Sequence, residues 1–177
     1  MPSLFQGSAV ALATPFSQGK VDTAAIERLV EMQVKGGTSA IVACGTTGEP
    51  TTMNAEEKEL VVRTVVKAVN GRVPVIAGTG SNCTQNVIDT AKRYEDLGCV
   101  AQLVVTPYYN KTTQEGLYRH FMAIAEATAL PIVIYNVPTR TSLDISPEVL
   151  DRLACCEKFV AVKESSYNLP YVMEKIR

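Results

Sequence analysis

The sequence contains a single histidine, His120, in 177 residues. Cysteine catalysis ordinarily takes a histidine partner, and no second ligand or nucleophile is spaced to use this one. His120 lies in Gly116-Leu117-Tyr118-Arg119-His120-Phe121, which reads as helix, so a packed or surface helix histidine is expected. Cysteine itself is sparse: Cys44, Cys83, Cys99, Cys155 and Cys156 are odd in number and form no Cys-x-x-Cys pair. That points to reduced thiols in a cytosolic protein, not to a disulfide framework or a zinc site. No charge sign dominates, with 17 Lys plus Arg against 18 Asp plus Glu and a net charge of -1. Without a basic stripe, nucleic acid and anionic membranes are not expected partners. No apolar run exceeds the length of a strand, so no transmembrane helix is expected. Met1-Pro2-Ser3-Leu4-Phe5-Gln6-Gly7 lacks the basic-then-apolar layout of a signal peptide.

What is present is ordinary for a soluble globular chain, with 46% hydrophobic and 20% charged residues, enough for one substantial core and one domain. The order within it is a repeat of roughly 30 residues: apolar run, polar turn, amphipathic helix. The apolar runs are Gly7–Ala13, Ser39–Cys44, Val73–Ala77, Val100–Val105, Ile132–Tyr135 and Phe159–Val162. They are nearly unbroken by polar residues, as expected of parallel strands buried on both faces. Asp22 is a candidate N-cap for a first helix with Ile26, Leu29, Val30 and Val34 on one face, ending at Gly36-Gly37. Asn54 with Glu57 three residues on forms a capping-box pattern ahead of Val61, Val65 and Val69. Thr84 starts a third helix that ends at Gly98, and Ser146-Pro147 starts a short fifth one.

Strict alternation of strand and helix predicts an α/β fold with right-handed crossovers. Periodicity leaves two architectures open. An open doubly wound sheet takes six strands, but Thr14-Pro15-Phe16-Ser17-Gln18-Gly19 lacks its glycine-rich phosphate turn. A (β/α)8 TIM barrel needs eight units, of which about six are present over residues 1–177, a single incomplete domain whose chain stops in its sixth helix.

Reactive residues gather after the strand ends: Cys44-Gly45-Thr46-Thr47-Gly48-Glu49, Gly78-Thr79-Gly80-Ser81-Asn82, Thr106-Pro107-Tyr108-Tyr109-Asn110-Lys111, Tyr135 through Thr141, and Lys163-Glu164-Ser165-Ser166. In a parallel barrel these ends share one mouth. Gly45-Thr46-Thr47-Gly48 offers backbone N–H groups and hydroxyls to a carboxylate, or is simply a capped glycine turn. Arg140 suits carboxylate recognition, or is an ordinary surface arginine. Tyr135 is a proton relay or a core residue. Lys163 follows Phe159-Val160-Ala161-Val162. Burial there would disfavour the ammonium form and leave an amine able to form a Schiff base with a carbonyl.

Gly45-Thr46-Thr47-Gly48-Glu49, Tyr108-Tyr109-Asn110-Lys111, Tyr135-Asn136-Val137-Pro138-Thr139-Arg140-Thr141 and Val162-Lys163-Glu164 together resemble the dihydrodipicolinate synthase family, in order and over essentially the whole chain. The resemblance implies a class I aldolase-type barrel condensing pyruvate with aspartate semialdehyde in the diaminopimelate–lysine pathway, without metal or organic cofactor. It implies Lys163 as the Schiff-base lysine and Tyr135 as the proton-handling tyrosine. Thr46 would link Tyr135 to Tyr109, with Tyr109 reaching a neighbouring subunit's site in a homodimer or dimer-of-dimers tetramer. Thr47 would hold the pyruvate carboxylate and Arg140 that of the semialdehyde. Arg140 separates this reading from N-acetylneuraminate lyases, which have no matching arginine there; sugar-acid aldolases of the superfamily remain the nearest alternative, and a small-acid binding module or an inactive fragment are the others. Thr112 stands where the family has proline after Tyr-Asn-Lys, and Ser165-Ser166-Tyr167 replaces its usual sequence after the lysine. Asn82 and Tyr108 match two lysine-effector contacts of regulated members, but Pro50, Ala55, Lys58 and Asn86 stand where those carry Ser, two His and Glu. Weak or absent lysine inhibition is therefore expected.

Overall fold

The computed structural model describes residues 4–176. They divide into two compact units: 4–78 with 93–102, and 79–92 with 103–176.

In the first unit, β1 (Ala9–Ala11) leads into a small antiparallel hairpin of β2 (Phe16–Ser17) and β3 (Lys20–Val21). Its turn residues Gln18 and Gly19 both have positive φ, 50° and 73°, the left-handed pair that closes a two-residue hairpin. Asp22 then caps α1 (Thr23–Lys35), accepting the Ala25 N–H at 2.9 Å, and Gly36 is its C-cap. Ile26 and Val30 are fully buried on its inner face. β4 (Ala40–Ala43) is buried at all four positions, pairing in parallel with β1 on one side and β5 (Val75–Gly78) on the other. α2 (Ala55–Val69) begins with the expected capping box: Asn54 Oδ1 accepts the Glu57 N–H at 2.8 Å, and Glu57 Oε2 accepts the Asn54 N–H at 2.9 Å. Val61, Val65 and Val69 are buried, as their spacing predicts. Gly78 allows β5 to pass its neighbour closely, because a Cβ there would collide with the Cys44 carbonyl.

α3 (Thr84–Asp96) and β6 (Ala101–Val105) contribute residues to both units. The second unit continues with α4 (Gln114–Ala127), capped by Thr113, then β7 (Ile132–Asn136), a single turn α5 (Pro138–Thr141), α6 (Pro147–Ala154), β8 (Phe159–Glu164) and α7 (Leu169–Ile176). Its core joins Val87, Val104, Phe121, Ile124, Ile132 and Ile134 to Val149 and Leu153 of α6. Ser146 caps α6 by accepting the Val149 N–H at 3.3 Å, with Pro147 at the first helical position. Along the larger sheet the strands stand in chain order, β1-β4-β5-β6-β7-β8.

Burial on both faces holds for β4 and β7 and fails for the two end strands. β1 is exposed or half-buried throughout, and β8 exposes Val160 (37%) and Val162 (42%). Among the described residues each pairs with a strand on one side only. The apolar run before Lys163 is thus strand, as expected, but not buried strand.

Candidate active site

β7 and β8 run parallel with Val133 opposite Ala161, Tyr135 opposite Lys163 and Asn136 opposite Glu164. Between Ile132 and Val133 the register shifts by one residue, because Ile132 faces Phe159 while Val133 faces Ala161. Val160 is therefore a one-residue bulge. Side chains alternate faces along a strand, so an extra residue inverts every position after it. Phe159, before the bulge, lies with Ile132 against the helix-side core and meets the Phe121 ring edge-on at 6.2 Å. Lys163, after it, stands on the Tyr135 side. Its Nζ is 3.8 Å from the centroid of the Tyr135 ring, a cation–π distance. Tyr135 is only 6% exposed, whereas Lys163 is half-buried. The burial invoked for Lys163 on sequence is thus partial, and its partner is an aromatic face.

The next rung, Asn136 opposite Glu164, holds on the other face of the sheet a polar cluster that the sequence did not disclose. Asn136 is fully buried. Its Nδ2 donates to Asp144 Oδ1 at 2.6 Å and to both Glu164 carboxylate oxygens at 3.1 Å. Its Oδ1 accepts the Ile145 N–H at 3.3 Å. Glu164 Oε1 also accepts the Ser166 N–H at 2.7 Å, and the Asn136 carbonyl accepts the Ser165 N–H at 2.9 Å. Tyr171 of α7 donates its hydroxyl to the Ile145 carbonyl. Burial, with Asp144 and Glu164 nearby, pushes that phenol well above its ordinary range. Gln114, the first residue of α4, donates to the Asp144 carbonyl at 2.8 Å and accepts the Ser146 N–H at 2.9 Å.

Arg140 is exposed on the turn of α5, with its N–H bonded to the Val137 carbonyl at 2.9 Å and no ion pair among the described residues. Tyr109 is 87% exposed and has φ 76°, and Lys111 has φ 50°. Such angles are uncommon for residues with a Cβ and fix the loop's course. In the first unit, Thr46–Gly48 forms a single 3-10 turn closed by the Gly48 N–H to the Gly45 carbonyl at 2.8 Å. Thr14 Oγ1 donates to the Gly48 carbonyl at 2.7 Å and anchors the turn, leaving Thr46 and Thr47 exposed.

His120 is a buried helix residue, as expected, with Nδ1 at 2.9 Å from Thr84 Oγ1. Burial lowers its pKa to about 4. The Cys44 and Cys99 thiols are pushed up to about 12, by burial above all. They are weak nucleophiles in that state. No group of three or more His, Cys, Asp or Glu among the described residues is placed to hold a metal ion, and no helix among them is long and apolar enough to cross a membrane.

Residues 4–177 match the model of the dihydrodipicolinate synthetase family. A 4-hydroxy-tetrahydrodipicolinate synthase of Geotalea daltonii is 53% identical over 171 residues, which are 97% of this chain and 59% of that protein. A solved dihydrodipicolinate synthase from Acinetobacter baumannii, chloride-inhibited and complexed with pyruvate, is 47% identical with a TM-score of 0.94, over 97% of this chain and 59% of the other. A monomeric dihydrodipicolinate synthase variant is 42% identical with a TM-score of 0.95, over 98% and 58%. The fold is a (β/α)8 barrel of which this chain supplies six strands, and the chain spans about 60% of the length of the curated relatives it matches.

Proposed function

The chain belongs to the dihydrodipicolinate synthetase family, and from that premise we propose that the protein it represents condenses pyruvate with L-aspartate 4-semialdehyde through a Schiff base on Lys163. The observation that carries this reading is the Tyr135–Lys163 rung, where the only lysine of β8 stands over the ring of a buried tyrosine. The unprotonated Lys163 amine adds to the ketone carbon of pyruvate. The oxygen of that adduct takes a proton and leaves as water while the C=N bond forms. Tyr135 is the residue proposed to carry that proton. Loss of a proton from the pyruvyl methyl group then gives the enamine, whose carbon attacks the aldehyde carbon of the semialdehyde. No metal or organic cofactor enters these steps.

The remaining assignments rest on the motif resemblance. Thr47 holds the pyruvate carboxylate, Thr46 passes a proton between Tyr135 and Tyr109, and Arg140 binds the semialdehyde carboxylate. The exposure of Tyr109 supports a role outside its own subunit, in a homodimer or a dimer of dimers. The enzyme is proposed to be cytoplasmic, to form one barrel domain, and to show weak or absent inhibition by lysine.

Borohydride reduction in the presence of pyruvate tests the core of this reading. The protein should gain one reduced pyruvyl group on the peptide containing Lys163, and Lys163→Ala should gain none. A folded protein that gains nothing is a small-acid binder or an inactive fragment. The choice of second substrate is tested separately. Arg140→Ala should raise the KM for aspartate semialdehyde at least about tenfold, the scale of a lost charge-assisted bond, while pyruvate trapping stays at the wild-type rate. An unchanged KM would favour a sugar-acid aldolase.

A further inference from the structure

The ladder between β7 and β8 could close in two ways, and only one presents Lys163 to Tyr135. In the register observed, the bulge at Val160 sets Tyr135 against Lys163 and Asn136 against Glu164. Without the bulge, Ile132 opposite Phe159 would continue to Tyr135 opposite Val162 and Asn136 opposite Lys163. The lysine would then point to the helix side, near the Asp144 carboxylate that Asn136 now engages. The two registers differ by one residue. Something must favour the first. Asn136 is placed to do so: it is fully buried, and its amide bonds span Asp144 on one side and Glu164 across the ladder on the other. A donor that bridges two carboxylates takes Glu164 as its rung partner, and an ammonium group in that place could not accept the Nδ2 hydrogens.

We propose that Asn136 is a positioning residue of the Schiff-base site: its side-chain amide, held between Asp144 and Glu164, locks the bulged register that keeps Lys163 beside Tyr135. The bond from the Ile145 N–H to Asn136 Oδ1 fixes the amide's orientation, so that Nδ2 faces the carboxylates. Gln114 holds the Asp144–Ser146 segment from α4, so the carboxylate on that side is itself placed. This inference rests on the assignment of Lys163 as the pyruvate-capturing amine.

Pyruvate trapping by borohydride in the full chain tests it, with rate constants measured across pyruvate concentrations. Asn136→Ala removes the bridge, and Asn136→Asp sets a third carboxylate against two. In both, the trapping rate at saturating pyruvate should fall at least about tenfold, while the half-saturating pyruvate concentration changes less than about twofold, because the carboxylate-binding groups are untouched. The paired exchange Asn136→Asp with Glu164→Gln restores one donor facing one acceptor across the rung, and should recover a large part of the lost rate. A merely structural role would not give that split or that rescue. Wild-type-like trapping in either folded single variant overturns the proposal, as does a paired exchange no faster than Asn136→Asp. If neither single variant folds, the paired exchange decides: failure to fold there means Asn136 holds the fold rather than the lysine. Absence of trapping in the wild-type protein would instead remove the assignment of Lys163.

Discussion

A buried imidazole records its surroundings in its proton affinity, and His120 is the one histidine available to do so here. Its Nδ1 meets Thr84 Oγ1, and its Nε2 is buried without a partner among the described residues. The neutral ring is therefore what the fold accommodates, and its pKa falls from 6.5 to about 4. Above about pH 6.5 both folded and unfolded chains carry a neutral ring, and its full contribution to stability is present. As pH falls from there to about 4 only the unfolded chain takes the proton, so stability is lost across that window and no further below it. Each tenfold difference in proton affinity between the two states is worth roughly 1.4 kcal/mol, so the loss is at most about 3.5 kcal/mol. Urea unfolding at pH 7 and pH 4.5 should show a drop in the wild-type protein that shrinks by roughly 2 kcal/mol in His120→Asn. An unchanged drop would assign the acid lability to carboxylates. The same desolvation explains why Cys44 and Cys99 sit outside the chemistry: burial that keeps the ring neutral keeps the thiols protonated.

At the scale of elements, helix starts carry their own instructions, because a capping side chain bonds to a backbone N–H three residues on. Asn54 and Glu57 illustrate this with two reciprocal bonds at the head of α2. Asn54→Ala should lower unfolding free energy by about 1 kcal/mol in urea titration, and should leave pyruvate trapping on Lys163 unchanged. A larger loss would mean that the cap also carries tertiary contacts. Local bonding of this kind is why Asp22, Asn54 and Ser146 were readable as caps, and unbroken apolar runs are why the strand centres were readable too. The bulge at Val160 was not, since nothing inside Phe159-Val160-Ala161-Val162 marks one residue as extra. Its consequence is large, because it decides which face of β8 Lys163 occupies. Asn136, Asp144 and Glu164 were hidden for a different reason. Asp144 and Glu164 lie 8 and 28 positions from Asn136 along the chain and meet it only through a loop and strand pairing. Lys163 was found from its apolar neighbours, yet those neighbours are half exposed. Apolarity along the chain marked the strand correctly and overstated its burial, because burial depends on what lies alongside.

For the whole molecule, the residue that asks most about assembly is Tyr109. A tyrosine 87% exposed, on a loop held in shape by two left-handed residues, turns away from the rest of the described residues. The proposed relay makes it serve a neighbouring subunit's Lys163 while its own subunit's site takes the equivalent residue from that neighbour. Activity then becomes a property of pairs, which mixing can reveal. Tyr109→Ala keeps Lys163 and lacks the donated phenol; Lys163→Ala keeps the phenol and lacks the amine. Each homodimer is deficient at both sites, but a hybrid has one complete site. Random exchange makes half the dimers hybrid, each with one of two sites intact, so an equimolar mixture should recover about a quarter of wild-type condensation activity under the closed symmetry of a two-fold pair. The measurement is condensation rate after subunit exchange, set beside the two variants assayed apart. A mixture no more active than their average would place Tyr109 in its own subunit's site, or in none, and the enzyme would then need no partner to complete its chemistry.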